Sequence, residues 1–524
     1  MTTDSRRIKK NRGVSMDRRK FLSGCAACVG YAATCGMITP GLLAAKRQGN
    51  GKPKIRLVFC EADNAIPIWP NIGYDFGARR KQMTELLTAG APGLEFSSSR
   101  IVDNPEQLDK VLEQDTEVDG YVICVQGLGW ENDIVQLSST GKPTLLVDNL
   151  FGGSGKFLLE INRIMNSGQP VDWVSSSNDR DIIASARHFE LLKEGQTPAE
   201  VAAMFREERG KRTPTEADWT CKSDPVAAVN FDTALKRLKE TKILVVGNGW
   251  GGDDFRKAAQ EVMGVQLVPV TFEEIASAYD QADKKAARAS ADTWIDQAEK
   301  IIDVDRGEIE RSAAMYVGMK KLMDEHGARG ISINCLDGFY NGHLKAYPCL
   351  GFCQLNNDGS VGGCESDQIS ALTMATMSAL TGRPGYISDP VIDTSKNAII
   401  YAHCVAMTKP FGPEGISNAY HILTHSEDRK GASMRSLLPV GYMTTTLEID
   451  PVSRQVLMHQ AKSIGNNPSD MACRTKLEAV VKGDLEKLTE GWSMGWHRVT
   501  FYGDLKEQMT ELCDRLELEL IEEA

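Results

Sequence analysis

Between positions 348 and 404 the chain gathers side chains of the kind that hold cations or move protons. Cys349, Cys353, Cys364, Glu365, Asp367, Asp389, His403 and Cys404 stand there among apolar neighbours. A carboxylate in apolar surroundings needs a partner. Glu365 falls at the start of a helix expected over 366–380, where free backbone amides and the helix dipole favour an anion. Asp389 ends a short extended run just before Pro390. From spacing alone two readings stay open: Glu365 and Asp367 cap the helix, or they do chemistry.

Three other patterns compete with these acids. Cys349, Cys353, Cys364 and Cys404 have the composition of a zinc or iron–sulfur set, but their spacing matches no usual ligand pattern. His421 and His425 stand four apart, yet no Glu lies between them as a zinc-protease helix requires, so they read as structural. Gly247, Gly249 and Gly252 follow an apolar run and precede a helix, which satisfies the dinucleotide fingerprint, with Glu273 at a distance suited to a ribose hydroxyl. Asp253 and Asp254 would repel a pyrophosphate at that turn. A structural turn is therefore the leading reading, and a nicotinamide site the alternative.

The elements that must position these residues follow from hydrophobic periodicity. Short apolar runs at 55–60, 120–125 and 143–147 alternate with helical stretches at 77–89 and after Pro105, the signature of a parallel sheet. A charged stretch over 194–225 reads as a surface excursion. A second β-turn-α-β unit opens at 242–246, and helices at 286–302 and 308–326 lead to a strand at 330–335. From 346 onward the pattern turns to threonine- and tyrosine-rich alternation, as at 441–449, which reads as antiparallel strands. The expected fold is α/β. It has two Rossmann-like parallel-sheet domains, 46–175 and 176–345, and a C-terminal mixed, β-rich domain, 346–524, that carries most of the site.

Residues 1–45 read as a twin-arginine export signal, with Arg18-Arg19-Lys20-Phe21-Leu22 ahead of an uncharged run ending at Ala44-Ala45. Cys25 precedes the apolar run, so lipidation is discounted. The run is too rich in Gly and Ala for a permanent span. A periplasmic or otherwise extracytoplasmic protein is expected, without stable membrane association after cleavage. Export of folded protein fits a metal or cofactor loaded beforehand. Of 13 cysteines, all but Cys25, Cys28 and Cys35 lie beyond the leader; a chain of 524 residues needs no disulfide staples. The net charge of −11, with no cluster of Lys and Arg in the body of the chain, argues against a nucleic-acid partner.

Four features occur here in an order that resembles the L-fucose and L-arabinose isomerase-like family. They are Cys364-Glu365 opening a helix, Asp389-Pro390 in an extended segment, His403-Cys404 at a strand end, and His497 a few residues before Gly503-Asp504. Cys473-Arg474-Thr475 adds a fifth. The likeness runs from about Ile55 to the end and is strongest from Pro348. It implies that Glu365, Asp389 and His497 bind one divalent metal, manganese by the family's habit, in a site completed by a monosaccharide and water. It also implies aldose–ketose isomerisation through an ene-diol, with Glu365 and Asp389 as the proton-transferring pair, and a homo-oligomer. His403 stands between two roles, orienting substrate or packing as a core histidine. Trp496 likewise offers the sugar an apolar face or simply packs. Two further readings remain: an exported nicotinamide-dependent oxidoreductase using the Gly247–Gly252 turn, and an exported carbohydrate-binding protein that keeps the site without turnover.

Overall fold

The computed structural model describes residues 51–227 and 229–524; the expected leader lies outside them. The strand Lys54–Glu61, KIRLVFCE, is buried from Ile55 onward, as befits a strand covered on both faces. It lies in a five-stranded parallel sheet of order Glu95–Val102, Lys54–Glu61, Gly120–Val125, Thr144–Asp148, Val171–Ser175. Parallel neighbours need crossovers, and the helices Phe76–Gly90, Pro105–Glu113 and Ser154–Met165 provide them. The charged stretch after 194 is no loose excursion. It forms the helix Pro198–Arg212, started by a Thr197/Glu200 capping box. That helix buries Val201 and Phe205 and sets Arg209 over the Trp173 ring. Its charges are spent on the pairs Arg209–Asp172, Arg209–Glu486 and Arg206–Glu490, which tie the first sheet to the C-terminal region.

A second parallel sheet has the order Val361–Cys364, Gly330–Ile333, Lys242–Val246, Gln266–Val270. Its edge strand comes from beyond residue 345, where the sequence pattern changes character. The strand Val361–Cys364 is hard to see in the sequence because Gly362 and Gly363 interrupt it. Both are demanded by packing: a Cβ on Gly362 would stand 2.6 Å from the Phe352 carbonyl oxygen, and one on Gly363 2.9 Å from Ser332 Oγ.

The last third forms an antiparallel sheet that closes on itself. Met443–Asp450 pairs with Arg498–Tyr502 at one side and with Gln455–Asn466 at the other; Tyr386–Asp393, Ala398–His403 and Thr475–Val481 complete the ring, and Glu519–Glu522 adds in parallel outside it. Closure leaves no free edge among those strands. The molecule is thus α/β, with two parallel sheets followed by a β-rich domain, and its described residues belong to one unit, Lys46–Ala524. The helix expected over 286–302 stops at Gln297, and Lys300–Ile301 becomes a strand beside Tyr420–Leu423. His421 therefore sits on a strand, and its pairing with His425 at helical spacing does not arise. Among the described residues no helix is long and apolar enough to cross a membrane.

Candidate active site

Barrel register brings three of the singled-out residues to one end. Tyr386–Asp393 runs antiparallel to both its neighbours, with Ser388 opposite Arg498 and Asp389 opposite Ala402. Asp389 therefore lies beside His497 on one side and His403 on the other. Glu365 arrives from the second parallel sheet. The strand Val361–Cys364 ends in a turn whose Glu365 and Ser366 take φ of 61° and 50°, conformations that cost free energy and persist where the surroundings enforce them. Ser366 Oγ donates to the Val246 carbonyl, pinning that turn across the sheet. The next helix is Gln368–Thr381, and its cap is Asp367, which accepts the Ile369 and Ser370 amides and the Ser370 hydroxyl. Glu365 does not cap it, so its carboxylate is free for the site.

His497 Nε2 lies 3.0 Å from Asp389 Oδ1 and 3.7 Å from Glu365 Oε2. Its Nδ1 lies 2.8 Å from Asp367 Oδ2, so that carboxylate holds the Nδ1 proton and fixes the ring with Nε2 facing the acids. His403 Nε2 stands 3.7 Å from Glu365 Oε1 and 3.8 Å from Asp389 Oδ2, and this buried nitrogen has no hydrogen-bond partner among the described residues. The Cys404 amide donates to His403 Nδ1 at 3.0 Å, so in the neutral ring the proton sits on Nε2 and faces the site.

Burial holds the Glu365 carboxyl well above the usual carboxylate range, with the Asp389 charge adding to it and His497 pulling the other way. For His497, burial favours the neutral ring, but the bonds to Asp367 and Asp389 outweigh it and raise the imidazole well above its ordinary value. His403 is driven down by burial. Asp389, His403 and His497 offer ligand atoms within 4.8 Å of one another, as do Cys364, Glu365 and His403. The Glu365 and Asp389 carboxylates each lie within 3.8 Å of both His403 Nε2 and His497 Nε2, donors of the kind a divalent cation takes, although no three-ligand group among the described residues joins Glu365, Asp389 and His497. The set Cys349, Cys353, Cys364 and Cys404 makes no joint ligand group among the described residues.

Trp496 is half-buried; its indole N–H donates to the Pro390 carbonyl at 3.0 Å and its ring meets Trp69 edge-on at 4.9 Å. Around the cluster lie groups that the motifs do not mark. Glu427 is buried and accepts the Tyr340 hydroxyl at 2.7 Å. Cys473 Sγ is 3.8 Å from Asp389 Oδ2. Lys476 is buried, and its ammonium donates to the carbonyls of Ser469 and Cys473 and lies over the Phe151 ring at 5.3 Å, with no carboxylate in salt-bridge range among the described residues. The sequence signal for Asp367 was its place two residues after Glu365; Lys476 and Glu427 carried none.

The Gly247–Gly252 turn packs against the Glu365 turn. A Cβ on Gly249 would stand 2.1 Å from the Ser366 carbonyl oxygen, Asn334 Nδ2 donates to the Asn248 carbonyl at 2.7 Å, and Trp250 bridges to Asp367. The chain's own backbone thus occupies the close approach that a pyrophosphate would need.

No family model matches the chain. A sulfoquinovose isomerase of Priestia aryabhattai is 26% identical over 309 residues, covering 56% of this chain and 66% of that protein. One of Clostridium sp. (strain MSTE9) is 24% identical over 298 residues, covering 54% and 65%. The similarity thus spans just under two thirds of each relative. Among solved structures, a fructose binding periplasmic domain of a hybrid two component system aligns with a TM-score of 0.16 and 12% identity, over 57% of this chain and 81% of that one, too low to bear on the fold.

Proposed function

We propose that this chain is a metal-dependent isomerase that interconverts an aldose and a ketose through an ene-diol, with Glu365, Asp389 and His497 holding one divalent cation, manganese by resemblance to the isomerase family and among the ions that carboxylate oxygens suit. The observation that carries the reading is His497, fixed from behind by Asp367 while its other nitrogen faces Asp389 and Glu365. Similarity to sulfoquinovose isomerases supports it.

Bound there, the ion supplies Lewis-acid polarisation of the sugar carbonyl. The chain's own residues do the rest. Of the two carboxyls, one takes the proton from the carbon beside the carbonyl and one returns it to the neighbouring carbon, a transfer that contributes roughly 10²–10⁴-fold to rate. His403 donates its Nε2 proton to the carbonyl oxygen as that becomes a hydroxyl, and takes back the proton shed by the neighbouring hydroxyl as that becomes the ketone. Trp496 gives the sugar an apolar face while its indole N–H holds Pro390, next to Asp389.

The substrate class we propose is an anionic sugar, as the relatives' name denotes. Lys476 supports this: a buried ammonium without a counter-charge is costly, and a bound sulfonate or other anion would compensate it. Lys476 reaches the Cys473 carbonyl, and the Cys473 sulfur touches Asp389, so one residue links the ammonium to the acids. The proposal includes export by the leader and a symmetric homo-oligomer. The test is to strip the protein of metal, restore manganese, and follow ketose formation from sulfoquinovose and from neutral aldoses. Manganese-dependent ketose formation supports the reading. Tight metal binding with no turnover of any sugar favours the carbohydrate-binding protein, and a nicotinamide recovered with the purified protein favours the oxidoreductase.

A further inference from the structure

Cys335 and Cys364 are both buried, 1% and 4% exposed, and their sulfurs lie 3.1 Å apart. The register explains the meeting. Cys364 ends its strand opposite Ile333, and Asn334 then caps the short helix Cys335–Tyr340, turning Cys335 back toward the strand end. Cys364 is the residue immediately before Glu365, and the Glu365 amide N–H faces the Cys335 sulfur. The turn these thiols flank is the one with two consecutive non-glycine residues at positive φ.

We propose that Cys335 and Cys364 form a reversible oxidation site in which hydrogen peroxide converts the two thiols to a disulfide and displaces Glu365 from the candidate metal centre. The steps balance. One sulfur attacks a peroxide oxygen, forming an S–O bond as the O–O bond breaks and hydroxide leaves; protonation of that hydroxide gives the first water. The second sulfur attacks the resulting sulfenic sulfur, forming the S–S bond and releasing the second water, so two thiols and one peroxide become one disulfide and two waters. A dithiol reductant reverses the change by thiol–disulfide exchange.

Bond formation must shorten the gap from 3.1 Å to about 2.05 Å. The Gly330–Ile333 strand is central in its sheet, whereas Val361–Cys364 is an edge strand leading into a strained turn. The edge side yields more readily, and Glu365 moves with it. The effect on metal rests on the proposed role of Glu365; formation of the disulfide does not.

The folded full chain is treated with peroxide, free thiols are blocked, and the peptides are mapped, while manganese affinity is read by electron paramagnetic resonance before oxidation, after it, and after dithiothreitol. Expected is a Cys335–Cys364 disulfide, a roughly tenfold or greater loss of manganese affinity, recovery on reduction, and insensitivity to peroxide in Cys335→Ser. Cys364→Ser serves as the second variant should the first fail to fold. Half-exposed Cys221 reports that oxidant was sufficient. Oxidation of Cys221 without a Cys335–Cys364 bond in folded protein would overturn the proposal, as would a bond that leaves manganese affinity unchanged. Absence of manganese binding before any oxidation would count against the isomerase reading instead, and the peptide map would still decide the dithiol.

Discussion

His497 and Asp367 form a 2.8 Å pair in which a helix-capping carboxylate doubles as the anchor of an imidazole. Asp367 accepts two backbone amides and one hydroxyl from the helix it starts, so its position is set by local structure before His497 arrives.

This dual role is separable. Asn caps helices as well as Asp does, so Asp367→Asn should keep the fold and thermal stability while manganese affinity falls roughly 10–100-fold, the usual cost of losing an outer-shell partner. Asp367→Ala should in addition lose about 1 kcal/mol of stability from the cap. Isothermal titration beside thermal melts distinguishes the two.

Glu365→Gln and Asp389→Asn remove the proposed proton carriers with little change in shape. Each should lower turnover by roughly 10² or more with circular dichroism unchanged. Turnover at the wild-type rate in either variant would remove that residue from the chemistry.

Lys476 links substrate choice to pH. Burial pushes its ammonium down to about 7, so affinity for an anionic sugar should weaken as pH rises through that value, while affinity for a neutral sugar should not. Lys476→Met should raise KM for the anionic sugar selectively. The stability effect has the opposite slope: in this range the unfolded chain holds the proton and the folded one has lost it, so stability should rise between about pH 7 and pH 10, toward the free-lysine value. The Met variant should flatten that rise in urea unfolding followed across pH.

Asp148 supplies an independent check in the first sheet. Burial, with nearby Asp393 adding to it, pushes its carboxyl up to about 7 despite bonds from Ser175 and Ser154. The folded state then binds the proton that the unfolded state releases near pH 4, so stability should fall as pH rises from about 4 to 7. Asp148→Asn should reduce that slope by this one group's share, the buried Glu365 carboxyl contributing in the same direction.

Much of this was legible in the residues. Alternating apolar runs foretell the parallel sheets because strands covered on both faces must be apolar throughout. Asp389 and His403 stand out because polar residues at strand ends need partners, whereas His497 was marked only by the family resemblance. What the pattern hides has physical causes. Val361–Cys364 is masked by glycines that only close packing explains. Gly249 imitates a nucleotide turn because approach to the Ser366 backbone imposes the same demand for a missing Cβ as approach to a phosphate does. Lys300–Ile301 is two residues long and owes its strand state to Tyr420–Leu423, more than a hundred positions away, and Lys476 acquires its isolation only once Phe151 and the 469–473 loop close over it.

The central claim, that the Glu365–Asp389–His497 centre moves a proton between adjacent sugar carbons, is tested most directly by incubating manganese-loaded protein with an aldose in heavy water and reading deuterium by NMR. With sulfoquinovose the expected result is ketose formation with solvent deuterium at C1 of the ketose, and at C2 of aldose re-formed from it, abolished in Asp389→Asn. Ketose formed with no solvent deuterium, or exchange that survives the loss of both carboxylates, would contradict it.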